Sequence, residues 1–178
     1  MKIFISIIFL LTVACSSYKP PITLPVQRMR VVQADADSIW KTVIKFVSEH
    51  NIPIENMDHS SYFIKTKPVM IVKGEGGTNF TGETLPLVNE YCDCGEASIG
   101  NVWSTSSHIA YTYNIVLVPN LSSQTEVRVN AFFDGSYLGK RNFTSAGNDV
   151  GFDVKCVSKG TLEVKLLDYL EKMTPKKP

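Results

Sequence analysis

The sequence has no excess of charge of either sign. Its 18 Lys and Arg against 17 Asp and Glu give a formal net charge of +1. A basic surface for nucleic acid is therefore not expected. Glycine (11) and proline (9) are too few for a disordered or collagen-like chain. Four cysteines in 178 residues are too few for a small fold built from disulfides. No apolar run approaches the roughly 20 residues that cross a bilayer. No Gly-x-Ser-x-Gly elbow, phosphate-binding loop or dinucleotide fingerprint is present; Gly74-Glu75-Gly76-Gly77 lacks the strand-to-helix setting such loops need. What remains is a 44% hydrophobic chain long enough for one domain with a real core.

The amino terminus is distinctive. Lys2 precedes a dense apolar run, Ile3–Ala14, about as long as a signal-peptide core. Leu11-Thr12-Val13-Ala14-Cys15 resembles the bacterial lipobox. The likeness implies a signal peptide over 1–14, cleavage before Cys15, and lipid on the Cys15 thiol and the new amino terminus. The alternative is an ordinary signal peptide with Cys15 as a bystander. Two or three acyl chains hold a protein stably at about 0.8 kcal/mol per buried CH₂. Ser16 rather than Asp follows the cysteine, which by resemblance to enterobacterial sorting signals implies the outer membrane, facing the periplasm. Cleavage removes Lys2 and thirteen uncharged residues. The mature 164-residue chain then carries 17 basic and 17 acidic groups, so lipid rather than charge is expected to hold it to the membrane.

Residues 15–27 contain three prolines and no periodicity, and read as a lipidated, extended tether. Residues 28–173 read as one domain, and 174–178 as a flexible tail. A strand is expected over Arg28–Ala34. Asp35 or Asp37 can cap a helix with Ile39, Trp40, Val43, Ile44 and Val47 on one face, ending near His50-Asn51. Strands follow near Pro53–Met57 and Ser61–Thr66, and Val69–Val72 reads as another or as an extension. Residues 95–100 read as a loop. Ile109, Tyr111, Tyr113, Ile115 and Leu117 alternate with mainly polar neighbours, as do Val127, Val129, Ala131 and Phe133. These two strands flank a turn at Pro119–Gln124. Asp134–Gly151 reads as a polar excursion, with a short strand before Cys156. Leu162, Leu166, Leu167, Leu170 and Met173 mark a helix over Thr161–Met173, capped by Ser158 or Thr161. Antiparallel strands with helices gathered on one face give an α+β sandwich.

Three cysteines remain after Cys15. In an oxidising compartment two of them pair. Cys94–Cys156 closes a loop of about 63 residues, worth roughly 4 kcal/mol in the chain-entropy model; Cys92–Cys156 is the rival pairing. Cys92-x-Cys94 is tight for zinc and has no second Cys or His pair beside it, so no metal or other cofactor is expected. His50, His59 and His108 are scattered and read as structural or exposed. Asp93 and Glu163 form no recognisable carboxylate pair. Three glycosylation-type triplets, starting at Asn79, Asn120 and Asn142, are coincidental in a bacterial lipoprotein. Trp40, Tyr111, Tyr113 and Phe133 fit core faces. Phe132 points the other way, either to a binding surface or beneath the 134–151 excursion.

Two stretches carry a family resemblance. Val32–Thr66 runs strand, Asp-rich cap, Ile-Trp helix, Asn-Ile-Pro-Ile, turn and Tyr-Phe-Ile-Lys-Thr. Asp93-Cys94-Gly95 and Cys156-Val-Ser-Lys-Gly160-Thr-Leu-Glu163 precede the last helix. Together they resemble a domain of small proteobacterial lipoproteins related to BamC, formerly NlpB. The likeness covers most of residues 30–173. It implies a helix-grip-like sandwich, two helices on one face of an antiparallel sheet, and it favours Cys94 as the partner of Cys156. That family has a long amino-terminal arm and two such domains; here there is a short tether and one domain. What transfers is an envelope lipoprotein that works by docking to other proteins, with no catalytic residues. The expected function is therefore a non-enzymatic accessory or scaffold subunit of an outer-membrane assembly or secretion machine, with envelope proteins as partners. The alternatives are a carrier holding a lipid or other apolar ligand between sheet and helix, and, more remotely, a cell-wall or lipid hydrolase.

Overall fold

A computed structural model describes residues 17–72, 90–98, 102–120, 123–141 and 149–174. Along the chain they form β1 (Ser17–Lys19), β2 (Met29–Val32), α1 (Ala36–Glu49), β3 (Ile54–Asp58), β4 (Phe63–Thr66), β5 (Val69–Val72), β6 (Cys92–Asp93), β7 (Glu96–Ser98), β8 (Val102–Pro119), β9 (Thr125–Arg141), β10 (Asp149–Ser158) and α2 (Thr161–Met173). The class is α+β: an open antiparallel sheet of eight strands and two helices, as the sequence pattern implies.

The sheet is organised by one long hairpin. β8 and β9 pair from Val102↔Arg141 to Pro119↔Thr125, and the turn closes through Asn120 N–H donating to the Gln124 carbonyl at 2.8 Å. Each long strand serves two partners on its outer edge. β8 carries β4 and β5, with β3 beyond β4; β9 carries β2 and β10, with β6 beyond β10. β1 and β7 make a separate two-stranded ribbon.

Period-two alternation sorts the hairpin into two faces. Ile109, Tyr113, Ile115 and Leu117 of β8, with Val127, Val129, Ala131 and Phe133 of β9, are buried beneath the helices. Ile39, Val43, Phe46 and Val47 from α1, and Leu162, Leu166, Leu167 and Leu170 from α2, complete that core. Each such side chain contributes about 1.5–3 kcal/mol relative to exposure. The helices also touch each other, Phe46 meeting Tyr169 edge-on with ring centroids 5.1 Å apart. Met173, the last residue of the α2 stripe, stays exposed.

The helix ends follow from local chemistry. Asp35 accepts the Ser38 amide at 2.9 Å and caps α1. At the far end Asn51 adopts φ 52°, its N–H donates to the Ser48 carbonyl, and Ile52 N–H donates to Val47. This is a Schellman closure, with Ile52 and Val47 both in the core. α2 starts differently from expectation. Its cap is Gly160 at φ 88°, a backbone angle that disfavours a side chain, and not Ser158 or Thr161. A β-carbon there would also meet Val26 at 2.8 Å.

Four further expectations change. The excursion expected over 134–151 is strand where it is described: β9 continues to Arg141 and β10 starts at Asp149. Gly135 permits this, because its bare Cα lets Val154 and Ile109 close over the strand. Glu96–Ser98, read as loop, is strand. The tether is extended over its described part but is not free there. Ser17–Lys19 pairs with Glu96–Ser98, and Ile22 N–H donates to Asp93 Oδ2 at 2.9 Å. Thr174, placed in the tail, is buried and donates its N–H to Leu170.

Candidate functional site

The helices cover one face of the sheet. On the other, side chains of β8, β9 and β10 that alternate away from the core line a groove of about 680 Å³. Register explains its composition. Asn114 and Asn130 are cross-strand partners, Lys65 lies opposite Asn114, and Thr112 lies opposite Phe132. Asp134 pairs with Lys155 at the β10 end. Lys65 forms an ion pair with Glu55 at 3.0 Å. Thr23 and Arg28, from the chain entering β2, close one side.

Phe132 sits among these polar groups with 53% of its surface exposed. β9 runs on through Asp134 and Ser136 beside it. Met29 and Val31 of β2 and Met70 of β5 are exposed as well, and their register partners Arg128, Glu126 and Ala110 place them on the same face. Two polar atoms in this region, Asn114 Oδ1 and His108 Nδ1, are buried without a hydrogen-bond partner. An exposed ring, aliphatic neighbours and both charge signs suit a docking surface.

The sheet edge above the groove has an unusual closure. Between β2 and β10, the β9 edge has no strand partner. Val129 N–H donates to the Arg28 carbonyl at 2.8 Å, and Ala131 N–H donates to Glu163 Oε1 at 3.2 Å. Glu163 Oε2 accepts the Ser158 hydroxyl at 2.8 Å, and Ser158 Oγ accepts the Gly160 amide at 3.0 Å. One fully buried carboxyl group thus seals the sheet and, through Ser158, anchors the start of α2. The sequence reading missed this role, because a Glu in the first turn ordinarily faces water and complements the helix dipole. The available signal was Ser158 and Glu163 flanking a cap glycine.

Of the site residues named from sequence, Cys15 lies outside the described residues. Cys94 and Cys156 form a disulfide, with S–S 2.03 Å. Strand register selects this pair. β6 lies antiparallel to β10 with Cys92 opposite Ser158 and Asp93 opposite Val157, so the next position, Cys94, falls opposite Cys156. Cys92 is a buried free thiol, its Sγ 3.7 Å from Cys94 Sγ. Burial pushes it up to about 12, Asp93 adding to the rise and Lys159 opposing it. All three sulfurs lie within 4.8 Å of one another. With the disulfide formed, two of them are not thiolates and the set is not a three-thiolate ligand sphere.

The histidines are not brought together. His50 Nδ1 contacts the Phe46 carbonyl at 2.9 Å. His59 meets Trp40 and Tyr62 edge to face and pairs with Asp37 at 3.2 Å. His108 is on β8. Tyr62 also donates to Asp37 at 2.8 Å, which raises its pKa. Tyr113, inside the core, donates to the Leu162 carbonyl at 3.0 Å, and burial raises its pKa.

No family model, curated protein or solved structure matches the chain. The likeness to BamC-related lipoproteins rests on the residue patterns alone.

Proposed function

We propose that this is a non-enzymatic, lipid-anchored periplasmic protein that serves an outer-membrane assembly or secretion complex by docking a partner protein on its open sheet face. The observation that carries the reading is the one-sided sheet with half-exposed Phe132 at its centre. Hot spots of protein interfaces favour such an aromatic ringed by polar groups that exclude water on contact. The lipobox-like Leu11–Cys15 supports the anchor, at the outer membrane by the residue after Cys15. No helix among the described residues is long and apolar enough to cross a membrane.

A carrier for apolar ligands draws less support. The layer between helices and sheet is filled by Ile39, Val43, Phe46, Tyr113, Leu166 and Leu170, all at most 1% exposed. The groove lies on the opposite face of the sheet.

The test is copurification from membranes in mild detergent, comparing the native chain with Phe132→Asp. The proposal expects a defined envelope protein with the native chain, lost in the variant while far-UV dichroism and melting stay unchanged. Recovery of this chain alone, or of the same partner with both proteins, overturns it.

A further inference from the structure

The segment leading into β2 is fastened to the domain at successive points. Ser17–Lys19 pairs antiparallel with Glu96–Ser98. Ile22 N–H donates to Asp93 Oδ2 at 2.9 Å. Val26 lies against Gly160, where an added β-carbon would meet its Cγ1 at 2.8 Å. The Arg28 carbonyl accepts the Val129 amide at 2.8 Å. The receiving segment is itself tied down: β6 pairs with β10, and Cys94, between Asp93 and β7, is bonded to Cys156. Residues 17–28 thus form a strap laid along the domain, where a freely swinging tether would make none of these contacts.

Chain length fixes where the strap leads. Ser98 is four residues ahead of Val102, the first residue of β8, so the two lie at most about 14 Å apart. Cys15 is two residues ahead of Ser17, the partner of Ser98, which keeps it within about 7 Å of that strand. The 18 residues of β8 run the other way, and at about 3.3 Å per residue the Asn120–Gln124 turn stands about 55 Å from Val102. Cys15 is therefore held at the Val102–Arg141 end of the long hairpin and away from its turn.

We infer that the strap orients the domain on the bilayer, with β1, β7 and the Val102–Arg141 end of the β8–β9 hairpin facing the phospholipid headgroups and the Asn120–Gln124 turn pointing away. The inference rests on the lipid anchor at Cys15 put forward above. The strands at this end carry Lys19, Lys140 and Arg141 against Glu96 and Asp149. With both signs present, the short strap and its lipid set the orientation, and charge adds little. Phe132 lies nine positions before Arg141 on β9, about 30 Å along the strand, and Thr23 of the strap lines its groove. A partner docked there sits beside the bilayer, within reach of the headgroup layer.

The experiment places the full acylated chain in nanodiscs of phosphatidylethanolamine and phosphatidylglycerol that carry a headgroup-attached quencher. A fluorophore is introduced through an azide-bearing amino acid at position 140, or in a second chain at position 120. Position 141 replaces 140 where that chain melts lower than the native one. Mass spectrometry of the amino-terminal peptide reads the acyl groups on Cys15 in the same samples. The inference expects loss of most emission at position 140 and unchanged emission at 120. A Gly-Ser insertion of about 20 residues between Ser16 and Ser17 lets the folded domain swing free, and should restore the emission at 140. An acylated chain quenched equally at both positions, or more at 120, overturns the inference and leaves the anchor standing. Quenching at 140 that survives the insertion also overturns it, since the strap then sets nothing. A chain without acyl groups on Cys15 overturns the anchor and the inference together.

Discussion

Glu163 Oε1 accepts the Ala131 amide at 3.2 Å from a side chain with no solvent exposure. A helix thereby completes the hydrogen bonding of a sheet edge that has no strand to pair with. β2 ends its pairing at Arg128 and β10 begins at Phe133, and the amide between them must be satisfied inside the protein. The same carboxyl group takes the Ser158 hydroxyl, so the sheet edge, the β10 end and the α2 start share one residue. Glu163→Leu strands the Ala131 amide and the Ser158 hydroxyl together, at a cost of about 2–4 kcal/mol. Glu163→Gln keeps an acceptor for Ala131 and costs less, about 1–2 kcal/mol. Urea denaturation of the two variants checks both the sign and the order. Equal stability of Glu163→Leu and the native chain contradicts the assignment.

The Cys94–Cys156 bond joins the last strand to the segment ahead of the long hairpin. Cys156→Ser removes it and frees a loop spanning 62 positions. The chain-entropy model puts the loss at about 4 kcal/mol. Denaturation without reductant measures it, and the native chain in reductant should fall towards the variant.

Alkaline stability should depend on Cys92. Its folded pKa, raised to about 12 by burial, exceeds the thiol's ordinary 9.0. Below 9 the group is protonated in both states and favours neither. As pH rises from 9 to 12 the unfolded chain loses the proton first, and stability falls by about 1.4 kcal/mol per pH unit. Asp93 and Lys159 face the thiol with opposite effects. Cys92→Ala should flatten this part of the pH profile, as read by denaturation midpoints between pH 8 and 11. Other groups titrate there too, so the quantity that matters is the difference between variant and native chain. Parallel profiles contradict the buried-thiol account.

Membrane attachment should depend on one sulfur. Cys15→Ser should move the chain from the membrane pellet to the soluble periplasmic fraction, without loss of the folded domain. Acyl mass on the amino-terminal peptide of the native chain is the direct companion measurement. A chain that pellets equally after Cys15→Ser is held by something other than lipid.

Much of this architecture can be read from periodicity. α2 occupies the expected Thr161–Met173 because its leucines recur at helical spacing. α1 begins after Asp35 and stops at Glu49, ahead of Asn51, because a short acid and a left-handed asparagine suit the flanking positions. The β8–β9 core is legible because Ile109–Leu117 and Val127–Phe133 alternate. The continuation of β9 was hidden by Asp134, Gly135 and Ser136, which resemble a turn. In the fold Asp134 and Ser136 face the open side and Gly135 is needed for close packing. The capping of α2 was misread because Ser158 looks like a cap residue, while its hydroxyl is spent on Glu163 and the cap is a glycine. Phe132 was visible as a misfit to the core pattern. Its exposure depends on a strand pairing with few local cues.

The most direct test of the docking account is site-specific photocrosslinking in intact cells. A photoreactive amino acid replaces Phe132 on the open face, and in a separate strain Lys45 on the exposed side of α1. The account predicts one discrete crosslinked envelope protein from position 132 and none of the same mass from position 45. Crosslinks of equal yield and mass from both positions, or none from position 132, contradict it.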